Sequence, residues 1–162
     1  AAEVPGATVQ VRPARLTDLP AIAAIEARSF PNPWPEALLA GYFNDRQALI
    51  ILAEEEEPLG FLIARAESTP CGGRTLHIHD LAVDPPHRRR GVGSALLTAL
   101  TQAALREHIP CLQLEVRVGN EAGLRFYERH GFRVTRRLAH YYEDREAALR
   151  MERHLTPASP SS

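Results

Sequence analysis

Apolar and polar positions along this chain follow two periods, and the switches between them predict its elements. Thr8 to Val11 alternates as a first strand. Thr17 then offers an N-cap for a helix running to Phe30, with Pro20 in its first turn, where proline is tolerated. Pro31-Asn-Pro-Trp-Pro35 interrupts the chain, and Pro35 can start a short helix to about Asn44. Ala48 to Ala53 and Leu59 to Ala66 are apolar runs of strand length. The four glutamates Glu54 to Glu57 between them read as a solvated hairpin loop. Ser68 to Arg74 has turn chemistry, and Leu76 to Val83 is a fourth strand stopped by Asp84-Pro-Pro86. Gly91 to Glu107 places Val92, Leu96, Leu97, Leu100, Ala103 and Ala104 on one helical face. Cys111 to Arg117 is a fifth strand. Asn120 caps a helix to His130 that Gly131 ends. Phe132 to Arg137 and Ala147 to Arg153 complete the set. There is no internal repeat, and strands alternating with helices predict an α/β layout.

With 162 residues, the chain is long enough for one domain with a substantial core. That domain is expected over 8–155, between a flexible N-terminus at 1–7 and a disordered Pro/Ser-rich tail at 156–162. Nineteen Lys plus Arg oppose 20 acids, so no net basic field recruits nucleic acid or an anionic membrane. No apolar run reaches the roughly 18 residues of a spanning helix, and Ala1 to Ala7 lacks the regions of a signal peptide. Cys71 and Cys111 have no metal-ligand spacing. A cytoplasmic protein with free thiols, no metal and no membrane contact is expected, with a monomer favoured.

The strongest local feature is Val83-Asp-Pro-Pro-His-Arg-Arg-Arg-Gly-Val-Gly93, running from a strand into a helix. A helix's first turn leaves backbone N–H groups without intrahelical acceptors and carries positive dipole charge. Glycines admit an anion close to the backbone, and Arg88, Arg89 and Arg90 add charge, as a pyrophosphate requires. No Gly-Lys-Ser/Thr follows, so this is not the nucleotide P-loop, and the third glycine of a Rossmann fingerprint is missing. On the fifth strand Leu112, Leu114 and Val116 point one way and Gln113, Glu115 and Arg117 the other. A carboxylate on a central strand is costly unless it lines a wet cleft.

Arg88-Arg-Arg-Gly-Val-Gly93 resembles the Gln/Arg-x-x-Gly-x-Gly/Ala motif of the GNAT acetyltransferases. Leu114-Glu-Val-Arg-Val-Gly-Asn120, Phe126-Tyr127 and Gly131-Phe132 are similar to the N-terminal acetyltransferases of that superfamily, the bacterial ribosomal-protein-alanine enzymes included. The similarity spans roughly Val11 to Leu155. It implies the GNAT fold: one mixed, mostly antiparallel sheet of six to seven strands, splayed between strands 4 and 5 and flanked by about four helices. It also implies acetyl-CoA as cosubstrate. The pyrophosphate would lie on the amides of Arg88, Arg89, Arg90, Gly91, Val92, Gly93 and Ser94. The pantetheine arm would pair with a bulged strand at Leu81, Ala82 and Val83, with Asn120 nearby.

The same resemblance implies Glu115 as general base and Tyr127 as general acid. It places Pro33 and Trp34 on one wall of a peptide groove and Tyr141 and Tyr142 on the other. His77 and His79 depart from the bacterial pattern. Some eukaryotic relatives carry a tyrosine base at the position of His77, so either histidine is a candidate to share or replace the role of Glu115. The expected acceptor is a protein N-terminus, such as that of a ribosomal protein. A small amine, a lysine side chain or a non-catalytic coenzyme A sensor are the alternatives. An RNA-binding module at His87 to Arg90 lacks the interleaved aromatics it would need.

Overall fold

The computed structural model describes residues 9–69, 73–88 and 90–155. The proposed terminal segments, Cys71 and Arg89 lie outside them. In chain order the elements are β1 (Gln10–Pro13), α1 (Leu19–Ser29), α2 (Glu36–Tyr42), β2 (Ala48–Glu54), β3 (Pro58–Ser68), β4 (Arg74–Val83), α3 (Val92–Arg106), β5 (Cys111–Arg117), α4 (Glu121–Arg129), β6 (Arg133–Leu138) and β7 (Ala148–His154). Seven strands form one sheet in the order β1-β2-β3-β4-β5-β7-β6. β1 with β2, β2 with β3, β5 with β7 and β6 with β7 pair antiparallel, whereas β4 with β5 is parallel and joins Thr75, Leu76 and His77 to Cys111, Leu112 and Gln113. This is a mixed sheet with four helices, as the resemblance implies.

Two compact units divide the chain: Ala1–Arg65 with His79–Leu100, and Ala66–Ile78 with Thr101–Ser162. In the first, Leu19, Ile22, Ile25 and Leu39 from α1 and α2 pack with Ile50, Leu52, Phe61, Ile63 and Ala82. Each such fully buried aliphatic contributes about 1.5–3 kcal/mol. Gly60 lets β3 approach β4 closely, because a Cβ there would stand 2.8 Å from the Ala82 carbonyl oxygen. In the second unit Leu112, Leu114 and Val116 are buried as the alternation of β5 predicts, along with Phe132, Ala148 and Met151. At one rim of the sheet, β6 exposes nearly every residue, Arg133, Arg136 and Arg137 among them; at the other, β1 is four residues long and ends in Pro13.

Two local expectations change. Asp18, not Thr17, precedes α1: a 3-10 turn over Leu16–Asp18 intervenes, and the Asp18 carboxylate accepts the Arg15 N–H at 2.7 Å. The glutamate loop is not simply solvated. Arg12 pairs with Glu54 at 2.8 Å, and Arg90 pairs with Glu55. Among the described residues, no helix is long and apolar enough to cross a membrane.

Candidate active site

The first unit carries the candidate anion loop. Asp84 ends β4, its N–H donating to the Leu59 carbonyl at 2.8 Å, and a 3-10 turn over Pro85–His87 leads on to α3. Gly91 adopts φ +78°, and its carbonyl accepts the first helical bond, from Ala95 N–H at 3.0 Å. A side chain here would be strained by the backbone, although among the described residues beyond its chain neighbours no atom lies within 4 Å of the added Cβ. So the glycine is needed for conformation, not because the protein crowds it. Val92 is buried, which fixes the first turn of α3 to the core. Arg88 Nε donates to the Val83 carbonyl at 3.0 Å, and Arg90 divides its donors between His87 Nδ1 and Glu55. Arg28 of α1 clamps the start of the loop through Asp84 at 2.8 and 3.0 Å, and that hydrogen bond holds the Asp84 carboxyl below its ordinary range.

The same unit places Trp34. Its main-chain N–H donates to Glu26 Oε2 at 2.9 Å, and its ring stacks on Tyr42 with centroids 6.0 Å apart. The Tyr42 hydroxyl lies 2.9 Å from His79 Nδ1. Asp80, the next residue, is buried, and the Glu26 carboxyl of α1 acts on it. Burial, and then the Glu26 carboxylate, push Asp80 up to about 9.

The second unit gathers an acid–base cluster. His77 Nε2 lies 2.5 Å from Glu115 Oε1, and His77 Nδ1 lies 2.9 Å from Glu67 Oε1. Arg150 faces Glu115 across β7 and donates to its Oε2 at 3.0 Å. Burial alone would raise Glu115, but the hydrogen bond and charge of His77, with Arg150 and Gln113, bring it down to about 2. For His77 burial works toward a lower value, and the two glutamates outweigh it, so its pKa is raised. The β4 histidines differ in the hydrogen bonds described, His77 meeting two carboxylates and His79 the Tyr42 phenol, yet Glu67, His77 and His79 bring donor atoms within 4.8 Å of one another.

Tyr127 sits on α4 with edge contacts to Phe126 at 5.2 Å and Phe132 at 5.7 Å. Asn120 caps α4, its Oδ1 accepting Gly123 N–H at 2.9 Å. In the β6–β7 loop Tyr141 is 48% exposed and packs edge-on to Tyr142. Arg117 lies 3.9 Å over the Tyr142 ring and is itself held by Asp144 and Glu146. Burial, the largest influence, drives Tyr142 up to about 12, so its hydroxyl remains a donor.

Sequence reasoning did not find Glu67, Arg150, Tyr42 or Glu26. Nor did linear spacing reveal that Cys111, Glu152 and His154 bring donor atoms within 4.8 Å of one another across β5 and β7.

Residues 19–132 match the acetyltransferase (GNAT) family. An N-alpha-acetyltransferase of Sulfurisphaera tokodaii is 31% identical over 156 residues, covering 90% of this chain and 93% of the relative. The [Ribosomal protein bS18]-alanine N-acetyltransferase of Escherichia coli (strain K12) is 33% identical over 141 residues, covering 83% and 90%. The crystal structure of the ribosomal-protein-S18-alanine N-acetyltransferase from Escherichia coli superposes with a TM-score of 0.79 at 27% identity, covering 96% of this chain and all of that one. Sheet order, the glycine-led start of α3 and this similarity along most of the chain agree: the chain belongs to the GNAT family of N-acetyltransferases.

Proposed function

We propose that this enzyme transfers the acetyl group of acetyl-CoA to the α-amine of a protein N-terminus, with a ribosomal protein as one such acceptor. The observation that carries the reading is the His77–Glu115 contact, a charged carboxylate set against an imidazole whose basicity it raises. An α-amine has a pKa of about 8, so at neutral pH it arrives mostly protonated and must lose a proton before it can attack. At about 2, Glu115 is too weak a base to take that proton alone. His77 accepts it, through water, and Glu115 stabilises the imidazolium.

The amine nitrogen then bonds to the thioester carbonyl carbon, the C–S bond breaks, the thiolate of coenzyme A takes a proton from the Tyr127 hydroxyl, and the new amide nitrogen gives up its remaining proton, through water, to the Tyr127 phenolate. The first-turn amides of α3, with Arg88, Arg89 and Arg90, hold the pyrophosphate. The strand segment Leu81–Val83 and the Asn120 amide hold the pantetheine arm. Pro33, Trp34, Tyr141 and Tyr142 receive the first acceptor residues. The relatives named above support this reading through their stated acceptors, an α-amine in one case and the alanine of bS18 in another.

The test is incubation with acetyl-CoA and a panel: free-N-terminus peptides, the same peptides N-blocked with an internal lysine, and a polyamine, read by intact mass. A gain of one acetyl group on free N-termini alone is expected. Acetylation of only the polyamine or the lysine would overturn the acceptor assignment. Tight acetyl-CoA binding with no turnover on any amine would point to a sensor.

A further inference from the structure

The Glu26–Asp80 pair has no part in the chemistry just described. Glu26 is 2% exposed and Asp80 9%. Both are acceptor-only groups when ionised, and each has one buried oxygen, Glu26 Oε1 and Asp80 Oδ2, to which no described N–H or O–H donates. Two adjacent carboxylates in that setting cannot both stay charged, whereas one proton held between the pair removes their repulsion. The other Glu26 oxygen receives the Trp34 N–H, at 2.9 Å. Trp34 therefore hangs from α1 by a carboxylate whose orientation is set by its partner on β4.

We propose that Glu26 and Asp80 are positioning residues that share a single proton, and that this proton fixes the segment carrying Pro33 and Trp34 in its acceptor-binding position. The peptide aspect rests on the proposed function; the proton sharing does not. The charged groups around the pair are few. Glu26 is the one described charge acting on Asp80, the Leu81 N–H supports the Asp80 carboxylate, and Arg28 on α1 is engaged with Asp84. When the proton is lost the two carboxylates repel, and the Trp34 anchor turns with Glu26. In Asp80→Asn the side-chain NH₂ donates permanently to Glu26, so the anchor no longer depends on pH.

The chain offers an unusually clean reporter. Trp34 is its sole tryptophan, and all 19 of its Lys-plus-Arg residues are arginine, so no lysine titrates in the alkaline range. Tyr42 is stacked on Trp34 and would quench it on ionising, so the measurement is made in a Tyr42→Phe background. Trp34 emission is followed from pH 7 to 10.5 with Asp80 intact and as Asp80→Asn. A transition centred near pH 9 is expected with Asp80 and none with Asn.

In parallel, the acceptor-peptide KM should rise about three- to tenfold between pH 8 and 10 relative to Asp80→Asn, with the acetyl-CoA KM equal in both. The two variants share any ionisation of the peptide amine, so that effect cancels. A flat emission profile with Asp80 present, or the same alkaline transition in Asp80→Asn, would overturn the proposal. A transition that vanishes with Asn in a protein that acetylates no peptide would uphold the shared proton and reject the peptide reading instead. Should Asp80→Asn fail to fold, Glu26→Gln serves, with the same expected loss of the transition.

Discussion

Glu115 and Asp80 are both carboxyl groups withdrawn from water on neighbouring strands, and they end in opposite states. Burial pushes both upward. Glu115 finds His77, Arg150 and Gln113, whose donors more than offset burial, and it stays charged down to about pH 2. Asp80 finds another carboxylate and stays protonated up to about pH 9. The difference shows that depth in the protein does not set the charge of a side chain; the donors it meets there do. The two groups also guard opposite edges of the stability range. The folded value of Glu115 lies below its ordinary 4.5, so its contribution is complete above that pH and is lost as pH falls toward 2. The folded value of Asp80 lies above 3.8, so its contribution is complete below that pH and drains away as pH rises toward 9.

The contrast can be broken most severely at the charged member. Glu115→Gln removes the partner of His77 and should lower kcat by about 10²–10⁴-fold, the usual range for lost acid–base assistance. Acetyl-CoA affinity, measured by calorimetry, should stay within about twofold; full turnover would dissolve the role given to Glu115. The same variant sharpens the comparison through pH. The acidic limb of kcat/KM should lie above the ordinary imidazole value of about 6.5 in the native enzyme and move down when Glu115 is neutralised.

At the neutral member, Asp80→Asn should remove a stability slope of up to about 1.4 kcal/mol per pH unit between pH 5 and 8. Denaturant unfolding at several pH values would reveal it, and parallel curves for the two proteins would contradict the protonated state of Asp80. Smaller still, Gly91→Ala should cost about 1–2 kcal/mol of stability through its positive φ alone. An unchanged Tm would mean that the loop relaxes freely. Smallest is Arg117→Met, which should cost about 0.5–1 kcal/mol from the cation–π contact over Tyr142 and raise the peptide KM only slightly.

The sequence made one half of each pair visible and hid the other. Strand alternation placed Glu115 on the polar face of β5, and the two strand-four histidines stood out by their spacing. A mixed sheet of six to seven strands with about four helices also followed from periodicity and resemblance, whereas the strand order did not. Arg150 and Glu67 did not, because they reach Glu115 and His77 through pairings between segments far apart in the chain; the β5–β7 register that sets Arg150 opposite Glu115 has no local signature. Glu26 carried no signal of its own in the sequence, and only the folded structure shows that it is buried. The acidic hairpin misled for the same reason: Glu54 and Glu55 find Arg12 and Arg90, which lie 42 and 35 residues away. Patterns within one element survive translation into structure, and the identity of a distant partner does not.

The rims of the sheet bear on how this protein behaves when concentrated. An unpaired strand edge is a template on which another copy can add, yet a second β6 laid against the first would bring Arg133, Arg136 and Arg137 against their own kind. At the opposite side β1 ends after four residues in a proline, which has no N–H to offer. Crowded solutions of this enzyme should therefore resist fibrous growth by strand accretion, and a screen replacing those three arginines by threonine would show how much of that resistance they provide.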